Sequence, residues 1–293
     1  MQECKQQIIN TIPNNNCCSF AFLNVVALSS QISKDFSNLI VASQPFVLEN
    51  VTKIVNNFHP NIEINCWDGF LLLKGNIYDF LVDINFKSKL DLSLYDSACD
   101  KLTLLKSFFL LNGRFYYNQD NNLNSKGYNL EFVLKDEHLA NVVLELLSLH
   151  NFNLKKIKRQ SNYVVYTKNS NTISDLLVLL GATYTALEVQ NSLAIREMRN
   201  NINRQNNCFE SNLEKTLDAS TAQLEAINYI IDNYSIDYLS ENLREVALAR
   251  IANPDISLNE LRTLMDNKIS RAGIKYRLDK IIEIYKKLKG ETN

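Results

Sequence analysis

Residues 257–288 read SLNELRTLMDNKISRAGIKYRLDKIIEIYKKL. Ser257, followed three places on by Glu260, is a capping box, in which each side chain satisfies the other's free backbone N–H. Leu258, Leu261, Leu264 and Met265 then form an apolar stripe on a short helix. Residues 266–269 make a turn, and Ser270 is placed to cap a second helix. On that helix Ile274, Leu278, Ile281, Tyr285 and Leu288 recur at helical spacing and form its buried face. Near its start Arg271, Ala272, Lys275, Tyr276 and Lys280 turn away from that face. A short capped helix, a tight turn and a longer helix with a basic, small-residue outer face make the helix-turn-helix layout. Its second helix enters the DNA major groove with its N-terminal residues foremost.

Many proteins carry two helices and a turn, and a Lys/Arg face is commonly just solvated, so the local charge matters. Between Arg262 and Lys289 there are nine positive and three negative side chains, in a chain whose formal net charge is −1. Positive charge concentrated on a groove-sized helix suits phosphate binding. The near-neutral total argues against a protein that coats nucleic acid along its whole surface.

At 293 residues the chain has room for two domains. No apolar run is long enough to span a membrane. The first residues lack the charged-then-apolar plan of a signal peptide, so a cytoplasmic, nucleoid-associated location is expected, with no membrane partner. None of the six cysteines makes a Cys-x-x-Cys pair. Cys17 and Cys18 are adjacent, point to different sides of a helix and do not by themselves close a metal site, so reduced, mostly buried thiols and no metal are expected. His59, His138 and His150 are scattered and form no catalytic cluster.

Upstream, one order of elements occurs twice. Cys17–Ser30 is an apolar helix and Leu39–Ser43 a strand. Leu48–Phe58 is a helix, Ile62–Trp67 and Phe70–Lys74 form a hairpin around Asp68-Gly69, and Ile77–Ile84 is a helix. The second copy runs Leu102–Leu111, Tyr128–Lys135, Asp136–His150, the hairpin Leu154–Arg159 with Tyr163–Lys168, and Thr172–Leu180. The repeat predicts a pseudo-two-fold α+β domain. An Asn-rich stretch, Asn118–Lys126, reads as a mobile surface loop. Glu188–Thr216 is polar and reads as an interdomain connection, with Arg196, Arg199 and Arg204 as candidate DNA contacts against the plainer reading of a solvated linker. Only helices follow: Leu213–Tyr234, with Leu217, Leu224, Ile227 and Ile231 on one stripe, and Leu243–Ile251, which includes Val246, Ala247 and Arg250 and is ended by Asn253-Pro254.

With these elements in place the chain resembles the WhiA family. The resemblance rests on KNSNTISDLL (168–177), EMRNNINR (197–204), SNLEKT (211–216) and ISRAGIKYRLDKI (269–281), in the family's order and spacing, together with Cys17-Cys18 at the head of the first apolar helix. It implies a degenerate, pseudo-two-fold LAGLIDADG homing-endonuclease-like domain (1–187), a linker (188–212) and an all-α helix-turn-helix domain (213–293). It also implies a transcription regulator concerned with cell division and chromosome segregation, and with sporulation in some relatives. Phe209 stands where the family usually has Glu, and Lys275-Tyr276 where it usually has Asn-His, so no known operator sequence transfers.

A LAGLIDADG nuclease needs one carboxylate at the end of each of two packed apolar helices to hold divalent metal over the scissile phosphates. Here those ends read Ala27-Leu28-Ser29-Ser30 and Leu110-Leu111-Asn112-Gly113, and hydroxyl or amide groups do not replace a charged ligand for a hard cation. Asp35 and Asp120 lie too far downstream. No catalytic residue, cofactor or small-molecule substrate is expected. Gly113 reads as a point of close helix packing. Lys155, Lys156, Lys158, Arg159 and Lys168 make the second hairpin basic, whereas the first, around Trp67, is nearly uncharged.

The expected DNA-contacting residues are Ser270, Arg271, Ala272, Lys275, Tyr276, Arg277 and Lys280, with Arg199 and Arg204 as a second set. Ser270 and the helix N-terminus would hold a phosphate. Arg277, on the flank of the helix, would meet phosphate or brace nearby Asp residues. The expected partner is double-stranded DNA. The alternative is a bridging protein with weak DNA contact that joins RNA polymerase or another regulator.

Overall fold

The computed structural model describes residues 1–117, 127–266 and 268–290. The Asn118–Lys126 loop therefore lies outside the described residues. Two compact units divide the chain, Met1–Glu197 and Met198–Asn293.

In the first unit α1 (Gln2–Ile9) precedes two repeats. The first runs α2 (Asn16–Ser29), β1 (Gln31–Ile32), β2 (Asn38–Ala42), α3 (Pro45–Phe58), β3 (Glu63–Trp67), β4 (Phe70–Lys74) and α4 (Ile77–Asp83). The second runs α5 (Ala98–Asn112), β5 (Gly113–Tyr116), β6 (Asn129–Leu134), α6 (Glu137–Ser148), β7 (Lys155–Arg159), β8 (Asn162–Thr167) and α7 (Ser170–Leu180). Each repeat makes a four-stranded antiparallel sheet of the same order, β1-β2-β4-β3 and β5-β6-β8-β7. The α+β class and the pseudo-repeat are thus present in the backbone.

At the centre α2 packs against α5. Buried residues occur consecutively along both, Ala21-Phe22-Leu23 in one and Phe108-Phe109-Leu110 in the other. A helix apolar on all sides belongs inside a core rather than along its edge. Asn15 caps α2 through the Cys18 N–H, and Ser97 caps α5 through the Cys99 N–H. Leu39, Val41, Leu71 and Leu73 alternate inward from β2 and β4, while Leu130, Phe132 and Leu134 do so from β6.

Three elements were not legible in the sequence. α1 is rich in glutamine, yet it buries Cys4, Lys5, Ile8 and Ile9. β1 and β5 are edge strands of only two and four residues, too short to alternate convincingly. Gly113 is the C-cap of α5 and opens β5; a Cβ there would collide with Phe109 of the same helix. Its smallness serves the turn out of α5, not the packing of one helix on another.

The expected connection 188–212 is helical. It lies inside α8 (Thr183–Tyr234, 52 residues), and the boundary between the units falls within the same helix. No Gly or Pro interrupts 183–234, so polar composition alone did not stop the helix.

In the second unit α8 is followed by α9 (Glu241–Ala252), α10 (Leu258–Leu264) and α11 (Arg271–Leu288). Their core joins Ala226, Ile227 and Ile230 of α8 to Val246, Ala247, Leu261, Met265, Ile274, Leu278, Ile281 and Tyr285. The α8 stripe departs from expectation: Leu217 is exposed and Leu224 and Ile231 are half-buried, while Gln223 and Ala226 face inward. Leu264 is also exposed, because Leu261 and Met265, four residues apart, carry the buried line of α10.

Candidate nucleic-acid interface

The local chemistry of residues 257–288 follows the capping rules. The Ser257 N–H donates to Glu260 Oε2 at 2.7 Å, and the Glu260 N–H donates to Ser257 Oγ at 3.3 Å. Hydrogen bonding from Ser257 holds the Glu260 carboxyl below its ordinary range. The turn contains Asp266 in the left-handed region, with φ 56°. Ser270 caps α11, its Oγ accepting from the Gly273 N–H at 3.1 Å. A side chain at Gly273 would press on Ile269 Cγ2 at 2.8 Å, so glycine lets α11 start close against the turn.

One face of α11 is buried through Ile274, Leu278, Ile281 and Tyr285, with Leu288 half-buried at its end. On the other face Arg271, Ala272, Lys275 and Tyr276 are exposed, Tyr276 at 67%. An arginine, a lysine and a phenol around an alanine combine phosphate contact, base-edge hydrogen bonding and room for close approach. This is the arrangement that a major-groove helix requires.

Two expected contacts are already engaged. Arg277 Nη1 donates to the Asn242 carbonyl at 3.1 Å and lies 3.7 Å from Glu245 Oε2. Arg277 thus braces α11 to α9, rather than to the aspartates suggested by the sequence. Lys280 Nζ pairs with Glu283 at 2.9 Å, one turn along the same helix. That pair raises the lysine's pKa and lowers the glutamate's, and it offsets the charge Lys280 presents. Arg199 and Arg204 are exposed on α8, and Arg204 donates to Asn201. The structure does not set them beside Lys275.

Arg250 is the positioning residue that the sequence did not single out. It is 1% exposed, and its Nη1 donates to the carbonyls of Asn253, Pro254 and Ile256 at 3.4, 3.5 and 2.8 Å. These carbonyls line the passage from α9 to α10, so one buried guanidinium fixes where the helix-turn-helix starts. Burial pulls its pKa down. Ser220 of α8 also donates to the Pro254 carbonyl.

In the first unit the sheet surfaces differ. On the outer face of the first sheet Trp67 and Phe70 are exposed and stacked, with ring centroids 6.1 Å apart. On the same face of the second, Glu131 lies between Arg114 at 3.9 Å and Arg159 at 3.5 Å. Strand alternation divides the β7 cations: Lys155 and Arg159 share one face, whereas Lys156 points to the other and pairs with Glu137 at 2.8 Å. Lys158 lies over the Tyr163 ring at 5.6 Å. Half of the strand's basic charge is therefore turned away from the outer face.

The C-terminal ends of α2 and α5 meet through Ser29 Oγ, which donates to Asn112 Oδ1 at 3.3 Å. A lysine caps each end: Lys135 Nζ donates to the Leu28 carbonyl at 2.5 Å, and Lys5 Nζ to the Leu110 carbonyl at 2.7 Å. Burial pushes the Lys5 pKa down to about 8. Two ammonium groups complement the negative helix ends. They occupy the end where a nuclease would gather divalent cations.

Two of the six cysteines, Cys4 and Cys18, are buried; Cys17, Cys66 and Cys208 are exposed and Cys99 is intermediate. The expectation of mostly buried thiols fails because half of them lie on helix starts, strand faces or α8 that face solvent. Asp100, brought by α5, comes within 4.8 Å of both Cys17 and Cys18. The sequence, which offered only the adjacent cysteine pair, concealed this meeting across two helices.

Comparison with known proteins places these features. The family model "WhiA C-terminal HTH domain" matches residues 202–285, and "WhiA LAGLIDADG-like domain" matches residues 108–199. A "Probable cell division protein WhiA" of Clostridium tetani is 34% identical over 255 residues, 87% of this chain and 77% of that protein. A protein of the same name from a Thermoanaerobacter strain is 43% identical over 164 residues, a match that spans 56% of this chain and about half (52%) of the relative. The crystal structure of full-length DUF199/WhiA from "Thermatoga maritima" has the same fold, with a TM-score of 0.59 at 19% identity over 98% of this chain and 97% of that one.

Proposed function

The chain belongs to the WhiA family, and on that premise we propose that it is a DNA-binding transcription regulator serving cell division and chromosome segregation. It reads duplex DNA with the N-terminal half of α11 and carries out no catalysis. The observation that carries this reading is the division of α11 into a buried stripe and an exposed Arg271, Ala272, Lys275 and Tyr276 face. Arg271, Lys275 and Tyr276 meet base edges or phosphates. The Ser270-capped helix start holds a phosphate. Arg277 keeps the helix in place, and Lys280 contributes only as far as Glu283 releases it. Arg199 and Arg204 add phosphate contacts from α8. This activity belongs to a nucleoid-associated, cytoplasmic protein, with RNA polymerase or another regulator as the protein partner.

The reading without cleavage is supported by the α2 and α5 ends, where Ser29 and Asn112 offer no carboxylate and Lys5 and Lys135 add positive charge. Supercoiled plasmid incubated with the protein and magnesium should stay intact; nicking at catalytic protein concentrations would overturn this part. Selection of bound duplexes from a random pool tests DNA reading. Full-length protein should enrich a consensus that changes or vanishes with Lys275→Ala. An unchanged consensus would remove α11 from the reading role.

A second reading, a bridging protein with weak DNA contact, is favoured by the exposed Trp67–Phe70 stack and by Met198, Ile202 and Phe209, which α8 leaves exposed. Robust sequence enrichment would decide against it as the principal role.

A further inference from the structure

The N-terminal ends of α2 and α5 bring together a set of donors that the DNA-reading role does not use. Cys17 Sγ, Cys18 Sγ and a carboxylate oxygen of Asp100 lie within 4.8 Å of one another, the one such cluster of three potential ligands among the described residues. Cys99, from the same turn as Asp100, places its Sγ 2.7 Å from that of Cys18. Asp100 is 7% exposed. Among the described residues no lysine, arginine or histidine lies within ion-pair distance of it; its side chain meets the Cys18 thiol at 3.4 Å and the Cys17 thiol. Buried carboxylates are ordinarily paired or bound to a metal, and this one faces sulfur.

We propose that Cys17, Cys18 and Asp100 bind a thiophilic divalent cation of the zinc class, with Cys99 as the fourth ligand after rotation about its Cα–Cβ bond. Thiolates with one carboxylate are a donor set zinc accepts, in a tetrahedral arrangement. A fully ligated site carries net negative charge, which the N-termini of α2 and α5 favour. A disulfide between Cys18 and Cys99 would use the short sulfur–sulfur approach, but would leave Cys17 and the buried Asp100 unexplained. The metal would tie together the starts of the two central helices, as Ser29 and Asn112 join their ends. Each thiol that binds gives up its proton, so loading releases protons to solvent. The role is structural and independent of whether α11 reads DNA.

The test uses the full chain, stripped with a chelator, kept reduced with a phosphine and titrated with cobalt(II). A sulfur-to-cobalt charge-transfer band with the strong visible bands of tetrahedral cobalt should grow to saturation at a single equivalent and disappear on adding zinc. Zinc should also raise the thermal transition. Cys17→Ser, at an exposed position, should reduce the charge-transfer band, and Cys18→Ser should abolish it. The double variant Cys66→Ser/Cys208→Ser should leave it intact. Circular dichroism of each variant separates loss of metal from loss of fold. Absence of the band in the reduced wild-type chain would overturn the proposal, as would a band that follows Cys208. So would intact mass after aerobic purification two hydrogens below the reduced mass, with no cobalt taken up on reduction.

Discussion

The α2–α5 pair and the α10–α11 pair are both two-helix units, but they use their surfaces in opposite ways. α2 and α5 bury nearly every face, and their C-terminal ends present a serine, an asparagine and two lysine caps. α10 and α11 bury a single stripe and leave the Arg271–Tyr276 face open. A LAGLIDADG nuclease needs acids at its helix ends to hold metal; a helix-turn-helix DNA reader needs donors along an exposed helix face. The first pair has become a core element, while the second has kept its outward chemistry. The two pairs thus differ in which groups they leave open to solvent.

The largest effect should come from the group that sets the second pair in place. Arg250→Ala removes a buried guanidinium, strips the Asn253 and Ile256 carbonyls of this donor and leaves Pro254 to Ser220, costing about 3 kcal/mol. Urea unfolding followed by circular dichroism should show the loss, and DNA affinity should fall with it. A change below ~1 kcal/mol would mean that the passage into α10 is held by other contacts.

Next, Arg271→Ala should weaken binding to an enriched duplex by about 1–3 kcal/mol without altering unfolding, since the side chain is exposed. The same substitution at Arg277 should behave differently. It breaks the brace to Asn242 and Glu245, so its binding loss should come with lower thermal stability.

The first pair has a pH signature. Lys5 titrates at about 8 in the folded chain, against an ordinary value of 10.5. Below about 8 both states carry the charge, and the cost of burying it is fully present. As pH rises through 8 the folded chain releases the proton while the unfolded chain keeps it, so stability increases. Lys106, also held down by burial, adds in the same direction. Above 9.0 Cys4 acts oppositely, because burial pushes its pKa up to about 11 and the unfolded chain loses that proton first. The thermal transition should therefore rise between pH 8 and 9 and then level off, as the Cys4 contribution cancels that of Lys5. Lys5→Met should flatten the rise; an unchanged profile would show that Lys5 is hydrated in the folded state.

The smallest effect concerns Lys280. Glu283→Gln removes its partner and should bring a modest gain in DNA affinity with a steeper salt dependence. No gain would place Lys280 outside the contacted surface.

Much of this was readable from residue pattern. The capping box at Ser257, the Ser270 cap and the Ile274-to-Tyr285 stripe are local, and local rules found them. The duplicated order of helices and hairpins was legible because β2, β4, β6 and β8 are long enough to alternate. What escaped depends on partners distant in the chain. Lys5 reads as a surface lysine until the Leu110 carbonyl accepts its hydrogen bond. Asp100 reads as an ordinary helix-start acid until Cys17 and Cys18 meet it from α2. Arg250 carried no signal of burial beyond its place beside Val246 and Ala247. The boundary between the units does fall within 188–212, but its helical form was not legible, because polar composition does not announce a helix, which needs only uninterrupted backbone and tolerable propensity.

The most direct measurement is the affinity of the full chain for an enriched duplex as a function of salt, compared with the Arg271→Ala/Lys275→Ala double variant. Binding by α11 predicts weaker affinity and a slope of log Kd against log salt shallower by about two, one for each lost phosphate contact. Equal affinity and equal slope would contradict the account, and would move DNA contact to Arg114, Lys155 and Arg159 of the second sheet or to the arginines of α8.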